Sequence, residues 1–340
     1  WMRGGLAMVN ILASMFFGGI SGSSAADTTA IGSMLIPMMK KKGYDEGFAT
    51  AVTITGSVQG ILIPPSHNMV IYALSAGGVS IGALFLAGIV PGVMLGIALM
   101  IYAYVVSRIK QYPTGEPFAV RTLIKSFWAA GLGLGTVLIV VVGVIAGVFT
   151  ATESAAIATA YAFLITFVVY RQIPLSEMGP ILTRSMKTLG IVMILIGTST
   201  AFGWLLAYLK VPALIANAIF SVSSDRVVVL LIINVFLLFM GTLMDMSSLI
   251  LICTPILLPI AKQIGVDPVH FGIIMMLNLG IGLLTPPVGS TLFLGSAISG
   301  VSIERITKSS LPFFGVMVLV LMLVTFVPEV SMTIPRLLMK

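Results

Sequence analysis

Hydrophobic positions fall in long blocks separated by short polar or basic connectors. The blocks are about 6–21, 28–39, 47–76, 81–107, 124–148, 151–170, 180–209, 211–222, 227–242, 246–261, 269–299 and 306–328. A membrane-spanning helix needs about 20 apolar residues. Several blocks fall short of that length, notably 28–39 and 246–261, which predict half-helices of re-entrant hairpins, one over about 6–39 and one over about 227–261. Two of the long blocks carry breaks. Gly60-Ile-Leu-Ile-Pro64-Pro65-Ser66 interrupts 47–76, and Gly282-Leu-Leu-Thr285-Pro286-Pro287-Val288-Gly289 interrupts 269–299. A double proline removes two backbone donors and its rings clash with the preceding turn, so each helix must unwind there.

The blocks repeat. Pro64-Pro65 recurs as Pro286-Pro287, Gly43-Tyr44-Asp45 as Gly265-Val266-Asp267, and Gly78-Val79-Ser80-Ile81 as Gly300-Val301-Ser302-Ile303, each pair 222 residues apart. Asp27 lies ten residues before Pro37 and Asp245 ten before Pro255, which pairs the two acids at a separation of 218. The expected organisation is a first repeat over 1–107, with a hairpin, a broken helix 47–76 and a helix 81–107. Connecting and scaffold helices follow over 108–226, with 211–222 as a candidate interfacial arm. A second repeat covers 227–328, with its hairpin, broken helix 269–299 and helix 306–328, and a periplasmic tail covers 329–340.

Five crossings are counted between the two hairpins. An odd number puts the second hairpin on the opposite face of the membrane, so the repeats are inverted. Charge agrees. With the first hairpin opening to the cytoplasm, only Lys210, Arg226, Lys262, Arg336 and Lys340 of the 18 Lys and Arg lie outside, and the other thirteen lie inside.

Composition narrows the class further. Of 340 residues, 58% are hydrophobic and 9% charged, against about 25% charged in soluble domains; mean hydropathy is +1.15. A water-soluble globule is excluded. The net charge of +7 sits in short loops and not in a stripe, which favours lipid headgroups in the bilayer over nucleic acid as a partner. One cysteine, Cys253, cannot form an intrachain disulfide, and two histidines cannot build a zinc cage. The chain opens on Trp1 without the layout of a signal peptide, and a missing N-terminal portion is expected.

Inverted repeats with broken helices point to a secondary transporter whose site lies at the repeat interface. Unwound backbone frees carbonyls for a cation, while half-helix N-termini offer N–H groups to an anion. Each hairpin has a small, flexible tip, Ser21-Gly22-Ser23-Ser24-Ala25 in the first and Gly241-Thr242-Leu243-Met244 in the second. Their hydroxyls and carbonyls are hard oxygen ligands suited to Na+. Asp27 and Asp245 are the acids set within the hairpins; each either lends charge to a cation site or caps a half-helix. Ser66, Asn68, Thr285, Ser290 and Thr291 flank the breaks and either ligate Na+ or substrate or cap helix ends. His67 faces the cavity or starts a helix; His270 is expected in an interfacial structural role. Thr150 and Glu153 fit a capping box, and Asn234 and Asn278 fit interhelical hydrogen bonding.

The stretches GGISGSSAADTTAIGSMLIPMM, GILIPPSHNMVIYA, GVFTATESAAIATAYA and TPILLPIAKQIGVDPVHFGIIMMLNLGIGLLTPPVG resemble the large membrane subunit of a tripartite ATP-independent periplasmic (TRAP) transporter. The resemblance runs from near residue 18 to near 315. It implies an all-α polytopic protein of the bacterial inner membrane that imports organic anions (carboxylates or acidic sugars, such as a C4-dicarboxylate or sialic acid) with Na+. It also implies two partners, a small membrane subunit (Q) and a periplasmic substrate-binding protein (P), and an elevator motion of a transport domain against a scaffold. Family members carry further helices before the first hairpin, in line with a fragment.

Combining residues and resemblance gives a first Na+ site at Ser23, Ser24, Asp27, Gly60 and Pro64. The second is expected at Gly241, Thr242, Asp245, Gly282, Thr285 and Pro286, and the substrate at Ser66, His67, Asn68, Ser290 and Thr291. A single-component Na+-coupled carrier with inverted repeats is the near alternative. An intramembrane aspartyl protease is remote, because neither aspartate has a Tyr-Asp or Gly-X-Gly-Asp context.

Overall fold

The computed structural model describes residues 2–115, 120–145, 148–171 and 173–339. Trp1, residues 146–147 of the apolar stretch 124–148, and Lys340 of the expected tail lie outside the described residues. The chain is an all-helical membrane protein. Among the described residues five helices are long and apolar enough to cross a bilayer, or six if the pair Glu46–Leu62 and His67–Ser75, bent by 47°, forms one span.

Residues Phe118–Leu205 form one compact unit. It holds α7 (Val120–Ile145), α8 (Ala151–Phe163), which continues as a π-helix over Leu164–Tyr170, and most of α9 (Met178–Tyr208). α8 starts on the expected capping box: the Thr150 hydroxyl accepts from the Glu153 N–H and the Glu153 carboxylate from the Thr150 N–H. α7 and α8 pack together, and the Tyr161 hydroxyl donates to the Leu132 carbonyl at 3.0 Å.

The other unit, Trp1–Pro117 with Leu206–Lys340, holds both repeats. The first hairpin is α1 (Gly5–Ser21) and α2 (Ser24–Lys41). The broken helix that follows is α3 (Glu46–Gly56), α4 (Gln59–Leu62) and α5 (His67–Ser75), and α6 (Ile81–Ile109) completes the set. After α10 (Val211–Val222), the second hairpin is α11 (Arg226–Gly241) and α12 (Met246–Gln263). Its broken helix is α13 (Pro268–Gly282) and α14 (Ser290–Ser299), followed by α15 (Ile303–Phe326) and α16 (Glu329–Leu338). The Pro64–Pro65 and Pro286–Pro287 peptide bonds are both cis.

Three expectations change. The second arms of the hairpins are longer than their apolar stretches: α2 and α12 have 18 residues each, about 27 Å at 1.5 Å per residue. Helix continues through Lys40 and Lys41 in one and through Lys262 in the other, because long basic side chains reach past the apolar zone while their backbone stays helical. Residues 329–338 are not a tail but α16, which lays buried Ser331, Met332 and Pro335 against its neighbours and packs on α6. The third change is register. α2 and α12 start and end 222 residues apart, as do the starts of α3 and α13. Asp245 therefore corresponds to Ser23, Pro37 to Pro259, and Asp27 to Leu249. The two aspartates are not equivalent.

α15 shows how the two repeats run. At its start Arg305 pairs with Asp45, the cap of α3, at 2.8 Å. Near its end the Thr325 carbonyl lies 3.4 Å from Nε2 of His270, in the first turn of α13. The starts of the two broken helices thus lie at opposite ends of one 24-residue helix. The hairpins follow suit. Lys40, at the end of α2, pairs with Glu46 at 3.3 Å, and the Gly4 N–H at the start of α1 donates to Pro113, next to Tyr112, which stacks on Tyr44. Both arms of the first hairpin open at the Asp45 end. The repeats also exchange partners: α2 packs on α14, and α12 on α5.

Candidate functional site

Each hairpin tip meets the break of its own repeat. In the first repeat, Gly18 of α1 and Gly60 of α4 touch backbone to backbone; a Cβ on Gly60 would lie 2.6 Å from the Cα of Gly18. Gly22, the left-handed cap that ends α1, sits where a Cβ would come within 3.0 Å of the Pro65 carbonyl oxygen and 2.9 Å of the His67 nitrogen. In the second repeat Gly241 and Gly282 approach in the same way, and the Val288 N–H donates to the Thr242 carbonyl at 3.1 Å. Only glycine lets backbone come so near backbone.

Each tip also meets the other repeat. The Ser24 hydroxyl lies 2.5 Å from Ser57 Oγ, in its own repeat's break, and 3.3 Å from Thr291 Oγ1 at the start of α14. The Ser247 hydroxyl, in the first turn of α12, donates to Asn68 Oδ1 in the first turn of α5 at 3.4 Å. The N-termini of α2 and α14 therefore meet, as do those of α12 and α5. Gly22 links the two pairs through its contact with His67. Four half-helix N-termini gather at the tips, each with N–H groups its own helix leaves free.

The expected residues divide accordingly. Ser23 caps α2, its hydroxyl accepting from the Ala26 N–H at 3.4 Å. Asp245 is exposed and caps α12, accepting from the Ser247 N–H at 2.9 Å. The hydroxyls of Thr242 and Thr285 turn back onto carbonyls of their own helices, Phe239 at 2.8 Å and Ile281 at 2.9 Å. Pro64 is buried, and Pro286 is exposed beside Thr242's partner Val288. Ser66 is buried with a hydroxyl that has no partner, while His67 and Ser290 are exposed.

Of the two acids in the set, Asp27 takes the opposite environment to exposed Asp245. Asp27 is fully buried, and neither carboxylate oxygen has a hydrogen-bond partner. The Ser14 hydroxyl of α1 stands beside it, also without a partner of good geometry. Ser14, Ser57 and Ser247 were missed in the sequence. Ser57 lies three residues before Gly60, and Ser14 four before Gly18, so helical spacing from the glycines was the available signal. The buried oxygens of Asp27, Ser14 and Ser66 are hard donors of the kind that could hold a cation such as Na+.

His270 has the structural role expected and is buried: Nδ1 lies 2.7 Å from Ser331 Oγ. Asn278 donates to Asn234 at 2.6 Å, and Asn234 to Thr325 at 3.1 Å, as expected for interhelical hydrogen bonding.

Hairpin tips are thus set against broken helices in an all-helical membrane protein, an architecture expected of a permease. The family model of the tripartite ATP-independent periplasmic transporter, DctM component, matches residues 1–330, and the chain belongs to that family. It is a multi-pass membrane permease of a bacterial TRAP system and not an enzyme. Among its relatives is the C4-dicarboxylate TRAP transporter large permease protein DctM of Pseudomonas aeruginosa, 39% identical over 98% of this chain and 78% of that one. The sialic acid TRAP transporter large permease protein SiaM of Vibrio cholerae is 38% identical over 99% of this chain and 78% of its own. The isethionate TRAP transporter permease protein DctMQ of Oleidesulfovibrio alaskensis is 41% identical over 97% of this chain and 52% of its own.

Proposed function

We propose that the chain imports an organic anion, a carboxylate or acidic sugar, driven by Na+ and supplied by a periplasmic substrate-binding protein. The observation that carries this reading is the gathering of four half-helix N-termini at the two hairpin tips. Their free N–H groups and positive dipole ends suit an anion, and Ser66, His67, Asn68, Ser290 and Thr291 lie at those same ends. The unwound carbonyls and hydroxyls around each tip and break suit Na+: Ser23, Ser24, Gly60 and Pro64 on one side, Gly241, Thr242, Gly282, Thr285 and Pro286 on the other. The opposed directions of the broken helices along α15 support an inverted-repeat transporter that moves its tips as an elevator. A small Q subunit is the expected partner, in keeping with the DctMQ relative, whose own length extends well beyond the matched part.

Reconstituted uptake tests the reading. Radiolabelled organic anion should enter proteoliposomes only with the small subunit, a loaded binding protein and an inward Na+ gradient. Full uptake by this chain alone would reassign it to a single-component carrier.

A further inference from the structure

The start of the first hairpin crosses the end of α6, and the crossing builds a cavity that the tips do not use. Gly4, the left-handed residue before α1 at φ 74°, sits so close to α6 that a Cβ there would collide with the Ser107 hydroxyl. One residue earlier, Arg3 forms an antiparallel bridge with Thr114, and the Gly4 N–H donates to the Pro113 carbonyl at 3.4 Å. These contacts hold Arg3 near Arg108, which follows Ser107 in the last turn of α6. Met2, Arg3, Tyr104, Arg108 and Thr114 line a cavity of about 480 Å3. Arg108 donates to the Tyr104 hydroxyl at 3.1 Å and lies 5.9 Å from the centre of its ring. The ring orients the guanidinium without neutralising it. Among the described residues the ion pairs join Lys40, Asp45, Glu46 and Arg305, and none includes Arg3 or Arg108. Two guanidiniums therefore share one cavity without a carboxylate from those residues.

The surface below the cavity is apolar. α6 is long and apolar enough to cross the bilayer. Ile97, Ile101, Tyr104 and Arg108 follow at intervals of four, three and four residues, so they share one face of it. Ile97 and Ile101 are 48% and 60% exposed. From Ile97 to Arg108 the helix rises about 16 Å. One leaflet of hydrocarbon, half of a 30 Å core, is about 15 Å deep. A molecule seated on this face meets apolar surface over the depth of a leaflet, then a tyrosine where aromatic rings collect, then two planar cations. A soluble anion would use only the last of these.

We propose that the Arg3–Arg108 cavity binds the phosphate of an anionic phospholipid, whose acyl chains lie along Ile101 and Ile97. Guanidinium groups take phosphate oxygens through paired N–H donors, and basic pockets at the ends of membrane helices suit acidic headgroups. The headgroup must carry net negative charge, because a zwitterionic one brings its own ammonium into a cavity that already holds two cations. The site lies at the start of α1, a 17-residue helix whose far end forms the tip, and it does not depend on the transport reading.

The test is titration of the delipidated, purified full chain in detergent with phosphatidylglycerol, followed by native mass spectrometry and thermal unfolding. Wild type should hold one tightly bound phosphatidylglycerol and unfold at a higher temperature with it. Arg3→Gln and Arg108→Gln should each weaken binding about fivefold, and the double variant about 25-fold. Both side chains are exposed, so all three variants should unfold like wild type without lipid. Arg336→Gln, which removes an exposed cation from α16, should bind like wild type. Undiminished binding by the double variant overturns the site. So does an equal loss in Arg336→Gln, which would mean diffuse attraction to the whole protein. Phosphatidylethanolamine held by wild type as tightly as phosphatidylglycerol would show that headgroup charge is not read, and overturns it too. Displacement of the lipid by inorganic phosphate or glycerol 3-phosphate at equal concentration would make the occupant a soluble anion and overturn the lipid assignment.

Discussion

Gly60 meets Gly18 so closely that a Cβ on Gly60 would lie 2.6 Å from the Gly18 Cα; Gly282 meets Gly241 the same way, at 2.5 Å. Backbone occupies the space, so a methyl group cannot be accommodated by a rotamer change. Gly60→Ala and Gly282→Ala should each push a hairpin off its break, costing about 1–3 kcal/mol and most of the uptake. Gly5→Ala and Gly315→Ala, with nothing within 4 Å of the new Cβ, should be neutral or slightly stabilising. Thermal unfolding of the four variants, with membrane expression matched, checks the contrast. Equal effects in both pairs would contradict it.

Asp245 tests capping directly. Its carboxylate accepts the Ser247 N–H, a role asparagine fills about as well, whereas alanine costs about 1 kcal/mol. Asp245→Asn should keep wild-type stability, and Asp245→Ala should lose it. If Asp245→Asn keeps its stability but needs more Na+ for half-maximal uptake, the charge also serves a cation site. Unfolding curves and Na+ titration of uptake separate the two roles.

The Asp45 cluster sets an acid limit. Partial burial pushes the Asp45 carboxyl up, but the Phe48 N–H, Arg305 and Lys110 outweigh it and hold the group below the usual carboxylate range. Its contribution is therefore complete above about pH 4 and is lost as pH falls through the lowered value. With Arg305 half exposed, the contribution should stay at or below about 1 kcal/mol and shrink in high salt. Asp45→Asn should flatten this part of the stability–pH profile measured by unfolding below neutral pH.

Asn234 and Asn278 pair across α11 and α13 at 2.6 Å. Hydrogen bonds between membrane helices average about 0.6 kcal/mol and reach about 1.7. A double-mutant cycle on Asn234→Ala and Asn278→Ala should give a coupling energy in that range. A value near zero would mean that the pair does not hold the second hairpin to its broken helix.

Opposed repeats require opposed sides. In a Cys253→Ala background, cysteine at Lys41 should react with an impermeant thiol reagent from the cytoplasm, and cysteine at Ser224 from the periplasm. Labelling of both from one side would contradict the antiparallel arrangement along α15.

Much was legible from the sequence by itself. Double prolines fix the breaks, because no apolar context restores two missing donors within one helix. Their common spacing reveals the repeat, and the Thr150–Glu153 box marks a helix start. What the tertiary structure decided is register and fate. Pro255 and Pro259 are one turn apart on the same face of α12, so Pro37 aligns with either, and so does everything upstream of it. Helical periodicity cannot choose between alignments that differ by four residues; the caps Ser23 and Asp245, fixed where each arm leaves its tip, can. That choice buries Asp27 against Ser14 with no partner and leaves Asp245 in the open as a cap. Two aspartates of the same local appearance were separated by what packs around them, which no single stretch of chain contains.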